Sequence, residues 1–413
     1  MAGLDIGIAG CGIAGLSAAL LLHRQGHRVT LYDRFEEPRP LGAGLMIQPT
    51  GLAVLDRLGL ARRVAAAGAP IARLHGRNAQ GRVVLDARYA DMRQAGVFGL
   101  GIHRASLFGA LHEAVCAEGI AICTEAEVAG TELDGAGRRF RLADGTHSPV
   151  HELIVDASGL HSALAAPCGK WLGYGALWTT LHWPEDGPFD ATVLEQRYRA
   201  ARQMIGVLPV GQGRLCLFWS LRADRYDAWQ EAGLAAWKDE ACRLWPACEG
   251  LLGQIADPGQ LTFARYAHRL LPQPLGERIV HIGDAWHSAS PQLGQGANMA
   301  LLDAWALAQG LAQPGPLERR LGHAIALRRG HVRLYQWLTA LFTPLYQSDA
   351  ALPAIFRDRI LAPVSRIPPA DRIQGLLVGG LAGSPLDRLG LAMPDYAGLA
   401  DDQCASTVAV PLR

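Results

Sequence analysis

The chain of 413 residues contains few residues of several polar types. Lysine occurs only at Lys170 and Lys238, asparagine only at Asn78 and Asn298, and charged residues make up 19% of the sequence. Half of the residues are hydrophobic, so a large core is available and intrinsic disorder is excluded as the main state. The 39 basic and 38 acidic residues give a net charge of +1, which does not favour nucleic-acid binding through bulk charge.

Motifs for metal binding, nucleophilic catalysis and membrane insertion are also missing. The eight cysteines form no CxxC pair and do not combine with histidine at zinc-ligand spacing, as expected for reduced thiols in a cytoplasmic protein. No GxSxG motif marks a nucleophilic serine. The apolar run over residues 4–22 lacks the basic leading segment of a signal peptide. No other apolar run reaches the length of about 18 residues that a membrane span needs.

A glycine motif near the N-terminus predicts a dinucleotide-binding unit. The order strand, GxGxxG, helix, strand and acid is formed by residues 4–9, 10–15, 16–25, 28–32 and Asp33. Gly10 permits a tight turn, Gly12 lets the backbone approach a pyrophosphate, and Gly15 lets the helix and the strand pack closely. Asp33 is suited to bind ribose hydroxyls, which favours NAD or FAD without separating the two. The alternative is a glycine-rich packing site that holds no ligand.

A second glycine loop precedes another apolar helix. Residues 277–282 are predicted to form a strand and residues 299–311 a helix. The loop between them contains Gly283, Asp284, Pro291, Gly294 and Gly296. Asn298 lies where the helix begins and is either a ligand contact or only a helix cap. Two helix starts that are open to anions, far apart in sequence, suit a ligand with two ends.

These motifs together resemble the FAD-dependent aromatic hydroxylases, the flavoprotein monooxygenases related to para-hydroxybenzoate hydroxylase. The resemblance covers roughly residues 4–312, and it is carried by residues 10–15 with Asp33, 41–45, 102–104 and 283–298. It implies FAD as the cofactor, bound by Gly10, Gly12, Ile13, Ala14, Gly15, Asp33, Arg34, Ala43, Gly44, Arg104, Val128, Asp284, Pro291, Gly294, Gln295, Gly296, Ala297 and Asn298.

The resemblance also implies roles for several of these residues. Asp284 would hold the ribityl chain, the flavin ring would lie against Pro291 and the second glycine loop (residues 283–298), and the adenine contact would fall near Val128. The helix start behind this loop would favour negative charge on the reduced flavin. Arg104 would touch FAD, or else be a solvated cation at a helix start. Pro291 and His287 are the candidate catalytic residues, and His287 is alternatively a structural histidine.

The middle motif of this family, Asp-Gly-x-x-Ser-x-x-Arg, is only half matched. Gly159 and Ser162 fit it, whereas Ser158 stands at the Asp position, Ala165 at the Arg position, and Asp156 lies two residues early. In the family this motif is associated with FAD binding and with the use of NADH or NADPH. Either a separate flavin reductase supplies the electrons, or the site tolerates the changes and NADH or NADPH still reduces the flavin.

The middle of the chain is predicted to form a substrate-binding sheet. Residues 177–183 are predicted to form a strand, and residues 204–210 and 214–221 a hairpin closed by a glycine loop. The candidate liners of a pocket for a flat apolar substrate are Trp178, His182, Trp219 and Tyr266.

The C-terminal part, residues 338–413, contains no chemical motif. Residues 338–346 and 352–361 are predicted to be helical, and residues 363–369 to break the helix. This part either caps the pocket, forms a dimer surface or touches a membrane.

The predicted fold class is α/β, with a Rossmann-like FAD-binding domain, an inserted mixed or antiparallel β-sheet substrate domain and a C-terminal helical segment. The FAD-binding domain is assigned to residues 1–75, 101–170 and 271–335, the substrate domain to residues 76–100 and 171–270, and the C-terminal helical region to residues 336–413.

The predicted function is that of an FAD-dependent monooxygenase. The resemblance implies that O2 and reduced FAD form a C4a-hydroperoxyflavin, which hydroxylates a hydrophobic aromatic or quinone-like small molecule. A reductase or halogenase of the same fold is an alternative, although the Gly-Trp-x-Trp-x-Ile-Pro pattern expected of a halogenase is missing. A non-catalytic flavin-binding protein is a further alternative.

Overall fold

The computed structural model describes residues 3–37, 43–184 and 186–399, so Leu41 and Gly42 of the resemblance lie outside the described residues. The strands are β1 (Asp5–Ala9), β2 (Arg28–Tyr32), β3 (Gly44–Ile47), β4 (Ala69–Ile71), β5 (Arg73–Asn78), β6 (Val83–Arg88), β7 (Gly99–His103), β8 (Ala121–Cys123), β9 (Val128–Asp134), β10 (Gly137–Leu142), β11 (Leu153–Asp156), β12 (Lys170–His182), β13 (Val193–Arg199), β14 (Gln203–Gly211), β15 (Arg214–Arg222), β16 (Thr262–Leu270), β17 (Leu275–Gly276), β18 (Ile279–His281) and β19 (His287–Ser288). The helices are α1 (Ile13–Arg24), α2 (Pro49–Arg57), α3 (Ala61–Ala66), α4 (Arg104–Ala117), α5 (Tyr226–Leu244), α6 (Glu249–Gly253), α7 (Gly296–Leu311), α8 (Leu317–Tyr346), α9 (Ala351–Phe356), α10 (Ala362–Val364), α11 (Ala370–Val378) and α12 (Pro385–Arg388). A π-helical turn, Arg357–Leu361, joins α9 to α10.

A six-stranded sheet in the order β17-β18-β11-β1-β2-β8 forms the predicted Rossmann-like core. Its neighbouring strands run parallel except for β17, which is antiparallel to β18. Ligands of such sheets bind at the edge where the carboxyl ends of the strands meet. Because β1, β11 and β18 are neighbours, the chain segments that follow Ala9, Asp156 and His281 leave this edge side by side. The two glycine loops predicted from the sequence therefore lie close together.

A second sheet, ordered β19-β16-β12-β15-β14-β13-β5-β6, confirms the inserted mixed sheet. Its neighbouring strands are antiparallel except for β13 and β5. The predicted hairpin is present as β14 and β15. One face of this sheet packs beneath α5 and α6, and the other face, called the inner face, packs toward the FAD-binding part. The sheet begins at Arg73 in β5, slightly before the boundary assigned at residue 76.

The C-terminal helices differ in extent from the prediction. The helix predicted over residues 338–346 is only the end of α8, which begins at Leu317 and crosses the domain boundary assigned at residue 335. The earlier part of α8 contains Arg328 and His331, which are buried. Because charged residues ordinarily mark exposed positions, the sequence pattern does not indicate a buried helix there. The predicted break begins after Val364 rather than at Pro363. Among the described residues, no helix has the length and apolar character to cross a bilayer.

Candidate cofactor and active site

The first glycine loop contains two glycines that the protein itself requires. Gly10 has φ of +97°, and a Cβ there would lie 2.6 Å from the carbonyl oxygen of Ala157. A Cβ on Gly15 would lie 1.9 Å from the carbonyl oxygen of Gly10. These contacts hold the loop against α1 and against the neighbouring segment after β11, as the GxGxxG reading predicts.

Gly12 and Gly296 have no such requirement. A Cβ on either would meet no protein atom within 4 Å, and Gly12 has an ordinary extended backbone. Both residues lie where a helix begins, Gly12 before α1 and Gly296 as the first residue of α7. Neither helix has a side-chain cap, so backbone N–H groups of both first turns are available to an anionic ligand. The two open glycines mark the surfaces where a ligand would approach the backbone.

Asp33 fixes the first loop from the end of β2. Its Oδ2 accepts a hydrogen bond of 2.5 Å from the backbone N–H of Cys11, and its Oδ1 accepts one of 2.8 Å from that of Arg34. Burial raises the pKa of the Cys11 thiol, with Asp33 adding to the effect, so this cysteine stays neutral. The half-buried Val128 begins β9 and packs on the same cluster as Tyr32, beside the end of β2.

Asp284 and Arg104 converge on one side of the second glycine loop. Asp284 is open to solvent, yet nearby protein desolvates its carboxylate, as on the wall of a cleft. Burial in this cleft raises the pKa of Asp284, while His287 and Arg104 act to lower it. Arg104 is exposed at the start of α4, and its backbone N–H donates to the carbonyl of Ala43 at 3.2 Å. The pair can accept and donate hydrogen bonds to a polar ligand chain.

His287 is held by contacts inside the protein and supports the second glycine loop. It is buried, and its Nε2 lies 2.6 Å from Oδ2 of Asp303. The same carboxylate accepts a bond of 2.9 Å from the backbone N–H of Gly283 and, through Oδ1, one of 2.8 Å from Nε of Arg328. Burial alone would raise the pKa of Asp303, but His287 and Arg328 hold it at about 2. These contacts support the structural alternative for His287 rather than the catalytic one.

Asn298 is neither a helix cap nor free to bind a ligand with its amide nitrogen. Helix α7 begins earlier, at Gly296. The buried Asn298 side chain accepts a bond of 2.8 Å from the backbone N–H of Gln48 and donates to the carbonyls of Met46 and Gly294 at 3.1 and 3.0 Å. The prediction of a cap is therefore wrong, and Asn298 instead ties β3 to the second glycine loop.

The remaining predicted cofactor residues lie in the second glycine loop and in the first turns of α7 and α1. Pro291 is exposed at the start of a single turn, and Gly294 follows with φ of +61°. Gln295 is buried and donates to the carbonyl of Val378 at 2.7 Å. Ala297 is half-buried in the first turn of α7. Ile13 and Ala14 are buried in the first turn of α1, as expected for residues that present only backbone groups.

The partly matched middle motif forms a buried polar cluster around Asp156. Oδ1 accepts the Ser158 hydroxyl at 2.5 Å, and Oδ2 accepts the Ser162 hydroxyl at 2.6 Å and lies 2.6 Å from Nδ1 of His281. Burial alone would raise the pKa of Asp156, but His281 and the serine hydroxyls hold it below its ordinary value. Arg269 of β16 donates to the carbonyls of Leu160 and Ala166 at 2.7 and 3.2 Å. The loop is thus held without an acid at 158 or an arginine at 165.

Trp178 of β12 and Tyr266 of β16 lie on the inner face of the inserted sheet. The Trp178 ring stacks on Phe218 with centroids 4.8 Å apart. Burial raises the pKa of Tyr266, and the Trp178 indole acts against this as a hydrogen-bond donor. Gly44 of β3 touches the same face, because its N–H donates to Sγ of Cys216 at 3.2 Å.

Two predicted substrate residues are placed elsewhere, which corrects the sequence reading. Trp219 follows Phe218 in β15 and therefore points to the opposite face, where it packs on Trp237 of α5 with centroids 6.3 Å apart. His182 is exposed at the far end of β12, where Gln254 binds its backbone N–H at 2.9 Å. Neither lies beside the cleft.

The described residues fit a flavin dinucleotide. Two uncapped helix starts, two glycines with open space at the backbone, and the pair of Asp284 and Arg104 supply groups for phosphates and for a polar linker. The inner face supplies a flat apolar wall. Together the fold and the site define a flavoprotein in which an inserted sheet packs against the part that carries the cofactor loops.

Comparison with protein families gives the same result. The family described as FAD binding domain matches residues 3–315. The chain belongs to this family and is an FAD-dependent aromatic monooxygenase related to para-hydroxybenzoate hydroxylase. FAD is its cofactor, and NADH or NADPH is the reductant typical of the family.

Individual relatives cover most of the chain. Aurachin C monooxygenase/isomerase of Stigmatella aurantiaca is 28% identical over 349 residues, which are 79% of this chain and 85% of that protein. The 2-heptyl-3-hydroxy-4(1H)-quinolone synthase of Mycobacteroides abscessus is 24% identical over 384 residues, which are 91% and 94% of the two chains. The crystal structure of Klebsiella pneumoniae HpxO, complexed with FAD and uric acid, has the same fold, with a TM-score of 0.80 at 20% identity over 92% of this chain and 98% of that one.

The residues that sequence reasoning missed lie behind the site rather than in it. Asp303 is the one charged residue between Met299 and Leu311 in the sequence, a signal that a buried ion pair was present. Asp156 stands two residues before the acid position of the family motif, so the motif does not identify it. Its partner His281 and the supporting Arg269 carry no local signal, because their contacts depend on distant segments.

Proposed function

We propose that this monooxygenase hydroxylates a neutral, hydrophobic aromatic substrate of the quinolone or quinone-like class. The observation that carries the proposal is the inner face. Between the strand ends, the inner-face side chains of β12, β14, β15 and β16 are Ala176, Trp178, Thr180, Met204, Leu208, Val210, Cys216, Phe218, Ser220, Ala264 and Tyr266. Trp178, Thr180, Ala264 and Tyr266 are half-buried, and the others are buried. None of these side chains is a carboxylate or a cation.

An uncharged wall selects against substrates that carry a carboxylate. Such a group would lose its hydration beside the inner face without gaining a counter-charge, which is costly. A neutral ring system with an alkyl substituent would instead bury apolar area there. The similarity to the 2-heptyl-3-hydroxy-4(1H)-quinolone synthase of Mycobacteroides abscessus supports the same substrate class.

In this proposal the chain positions FAD and keeps water from it. When bound, FAD accepts electrons from the reductant and activates O2 so that one oxygen atom reaches the substrate. The N-termini of α1 and α7 supply N–H donors, and Asp284 and Arg104 bind the polar linker. Pro291 and the second glycine loop support the ring, with a positioning role for His287. Trp178 and Tyr266 orient the substrate by stacking and by the Tyr266 hydroxyl.

We propose direct reduction by NADH or NADPH, in the cytoplasm, with a separate flavin reductase as the alternative. The contacts of Asp156 with Ser158 and Ser162 support this choice. They hold the partly matched middle motif in place although its usual acid and arginine are missing. Anaerobic mixing of the FAD-loaded protein with NADH or NADPH should bleach the flavin absorbance. Bleaching that requires an added reductase would favour the alternative.

We also retain the predicted division into an FAD-binding part, an inserted substrate domain and a C-terminal helical region. The substrate domain would then begin at β5, and α8 would join the FAD-binding part to the C-terminal region.

The substrate proposal is tested with the FAD-loaded protein and a matched pair of aromatic compounds. A 4-quinolone with an alkyl chain should stimulate consumption of NADH or NADPH and yield product that contains one labelled oxygen atom from ¹⁸O2. A 4-quinolone that carries a carboxylate in place of the alkyl chain should do neither. Turnover of the carboxylate in preference to the alkyl compound would contradict the proposed substrate class. Product formation under strict anaerobiosis would point instead to a reductase.

A further inference from the structure

The helical segment from α9 to α10 has its apolar side turned outward. The exposed positions recur at the spacing of one helix side, so they form a continuous stripe. Leu352 is 77% exposed, and the stripe continues to Ile367, which is 60% exposed. The stripe, called the apolar helix face, consists of Leu352, Ile355, Phe356, Ile360, Val364 and Ile367.

The polar side of the same segment points into the protein. Arg357 is fully buried, and its guanidinium donates to the carbonyls of Leu345 and Ala200, each at 3.0 Å. It also lies over the rings of Tyr198 and Tyr346. A surface helix of a water-exposed protein has the reverse arrangement. If the segment turned its apolar side inward, Arg357 would leave the carbonyls of Leu345 and Ala200, which would then lose their side-chain donor.

The exposed charges along the apolar helix face are cationic, and the exposed acid just before it, Asp349, is paired with Arg222. Arg359, Arg366 and Arg372 are exposed. The acids of the same stretch, Asp358 and Asp371, are only half-exposed, and both accept hydrogen bonds, from Asn78 at 2.7 Å and from the backbone N–H of Arg372 at 2.7 Å. Over the described residues 351–373, the exposed side is therefore apolar and cationic, with no exposed carboxylate.

We propose that the apolar helix face binds the surface of an anionic lipid bilayer. Apolar side chains of an interfacial helix lie between the acyl chains, and arginines beside them attract anionic headgroups. A second copy of this chain fits less well. A two-fold contact through this face would bring arginines against arginines without a carboxylate to pair with them.

Vesicle sedimentation of the full-length, FAD-loaded protein tests the proposal. The protein is expected to sediment with vesicles of mixed phosphatidylglycerol and phosphatidylcholine, and at least about tenfold less with phosphatidylcholine alone. The triple variant L352S/I360S/I367S should bind anionic vesicles at least about tenfold more weakly. The variant R359Q/R372Q should show a similar loss of binding to anionic vesicles. High salt should weaken the binding of the unmodified protein to the same extent.

A matched control uses exposed apolar residues elsewhere on the surface. Leu133 and Val150 are 47% and 44% exposed, and L133S/V150S should leave vesicle binding unchanged. Flavin content and thermal unfolding confirm that each variant is folded. Absence of vesicle binding overturns the proposal. If light scattering then finds a dimer that L352S/I360S/I367S dissociates, the face binds a second copy of the chain; if it finds a monomer, the face binds neither. Equal binding to both vesicle types, or an equal loss in the control variant, also overturns it.

Discussion

Replacing Gly12 by alanine is expected to separate cofactor binding from protein stability. Gly12 has φ of −74° and ψ of −175°, which alanine adopts without strain, and an added Cβ would meet no protein atom within 4 Å. The protein alone therefore does not need glycine at this position. The free energy of unfolding of the apoprotein should stay unchanged or rise by up to about 1 kcal/mol, because alanine restricts the unfolded chain.

The affinity for FAD should change in the opposite direction. The added methyl group would occupy the space through which the backbone of a GxGxxG loop approaches the pyrophosphate. We expect the Kd for FAD to rise at least about tenfold, which corresponds to about 1.4 kcal/mol. Quenching of flavin fluorescence on titration of the apoprotein measures the Kd, and urea unfolding of the same apoprotein measures stability.

Two other glycines serve as controls. Gly322 lies within α8, and its Cβ would also meet no atom within 4 Å, so Gly322→Ala should raise stability by up to about 1 kcal/mol with the Kd for FAD unchanged. Gly15→Ala would place Cβ 1.9 Å from the carbonyl oxygen of Gly10 and should destabilise the apoprotein strongly. An unchanged FAD affinity in Gly12→Ala, or a stability loss like that of Gly15→Ala, would refute the reasoning.

Three further predictions concern the support of the site and its apolar wall. Asp303→Asn leaves Arg328 buried without its carboxylate, so urea unfolding should detect a loss of about 3–5 kcal/mol, with weaker FAD binding on titration. The pKa of His331 is about 3 in the folded protein against 6.5 ordinarily, because burial and Arg328 disfavour its cation. Stability should therefore fall as pH decreases from 6.5 toward 3, by up to about 1.4 kcal/mol per pH unit, and His331→Gln should reduce that slope. Tyr266→Phe should raise the KM for the aromatic substrate roughly tenfold with little change in stability, whereas Trp219→Phe should lower stability by about 1–2 kcal/mol and leave KM unchanged.

For each of these three predictions, one result would contradict the physical reason given for it. Unaltered unfolding of Asp303→Asn would mean that the buried ion pair does not hold the second glycine loop. Equal acid slopes in His331→Gln and the unmodified protein would assign the acid sensitivity to other groups. A KM effect confined to Trp219→Phe would reverse the assignment of the two sheet faces.

The parts of the fold that local sequence patterns specify were predicted well. The strand Arg28–Tyr32 has the predicted bounds, and the hairpin of β14 and β15 surrounds the predicted glycine turn. In both cases a short alternating or apolar run lies between turn residues, and all of the interactions that define the element are close in sequence. The same holds for the first glycine loop, where Gly10 and Gly15 contact each other directly.

The assignment of pocket residues failed where it depended on strand pairing. Trp178 and Trp219 look alike in the sequence, since each lies in an apolar strand. In the structure Trp178 stands opposite Phe218, so these two share the inner face and the next residue, Trp219, points away. A shift of one residue of β15 against β12 would place Trp219 opposite Trp178, on the inner face. No local sequence pattern specifies this pairing, because two further strands, β13 and β14, lie between β12 and β15 in the chain.

The support of the second glycine loop was equally hidden, and it comes from the C-terminal region. Gln295 donates to the carbonyl of Val378, and Nε2 of His331 lies 3.0 Å from the carbonyl of Gly380. His331 is hydrogen-bonded to Arg328, and Arg328 binds Asp303. Asp303 in turn accepts a hydrogen bond from the start of the loop. The C-terminal segment therefore contacts both ends of the loop, directly or through this buried chain. Since buried contacts of this kind restrict motion more than exposed ones, the position of the loop depends on residues without any catalytic motif of their own.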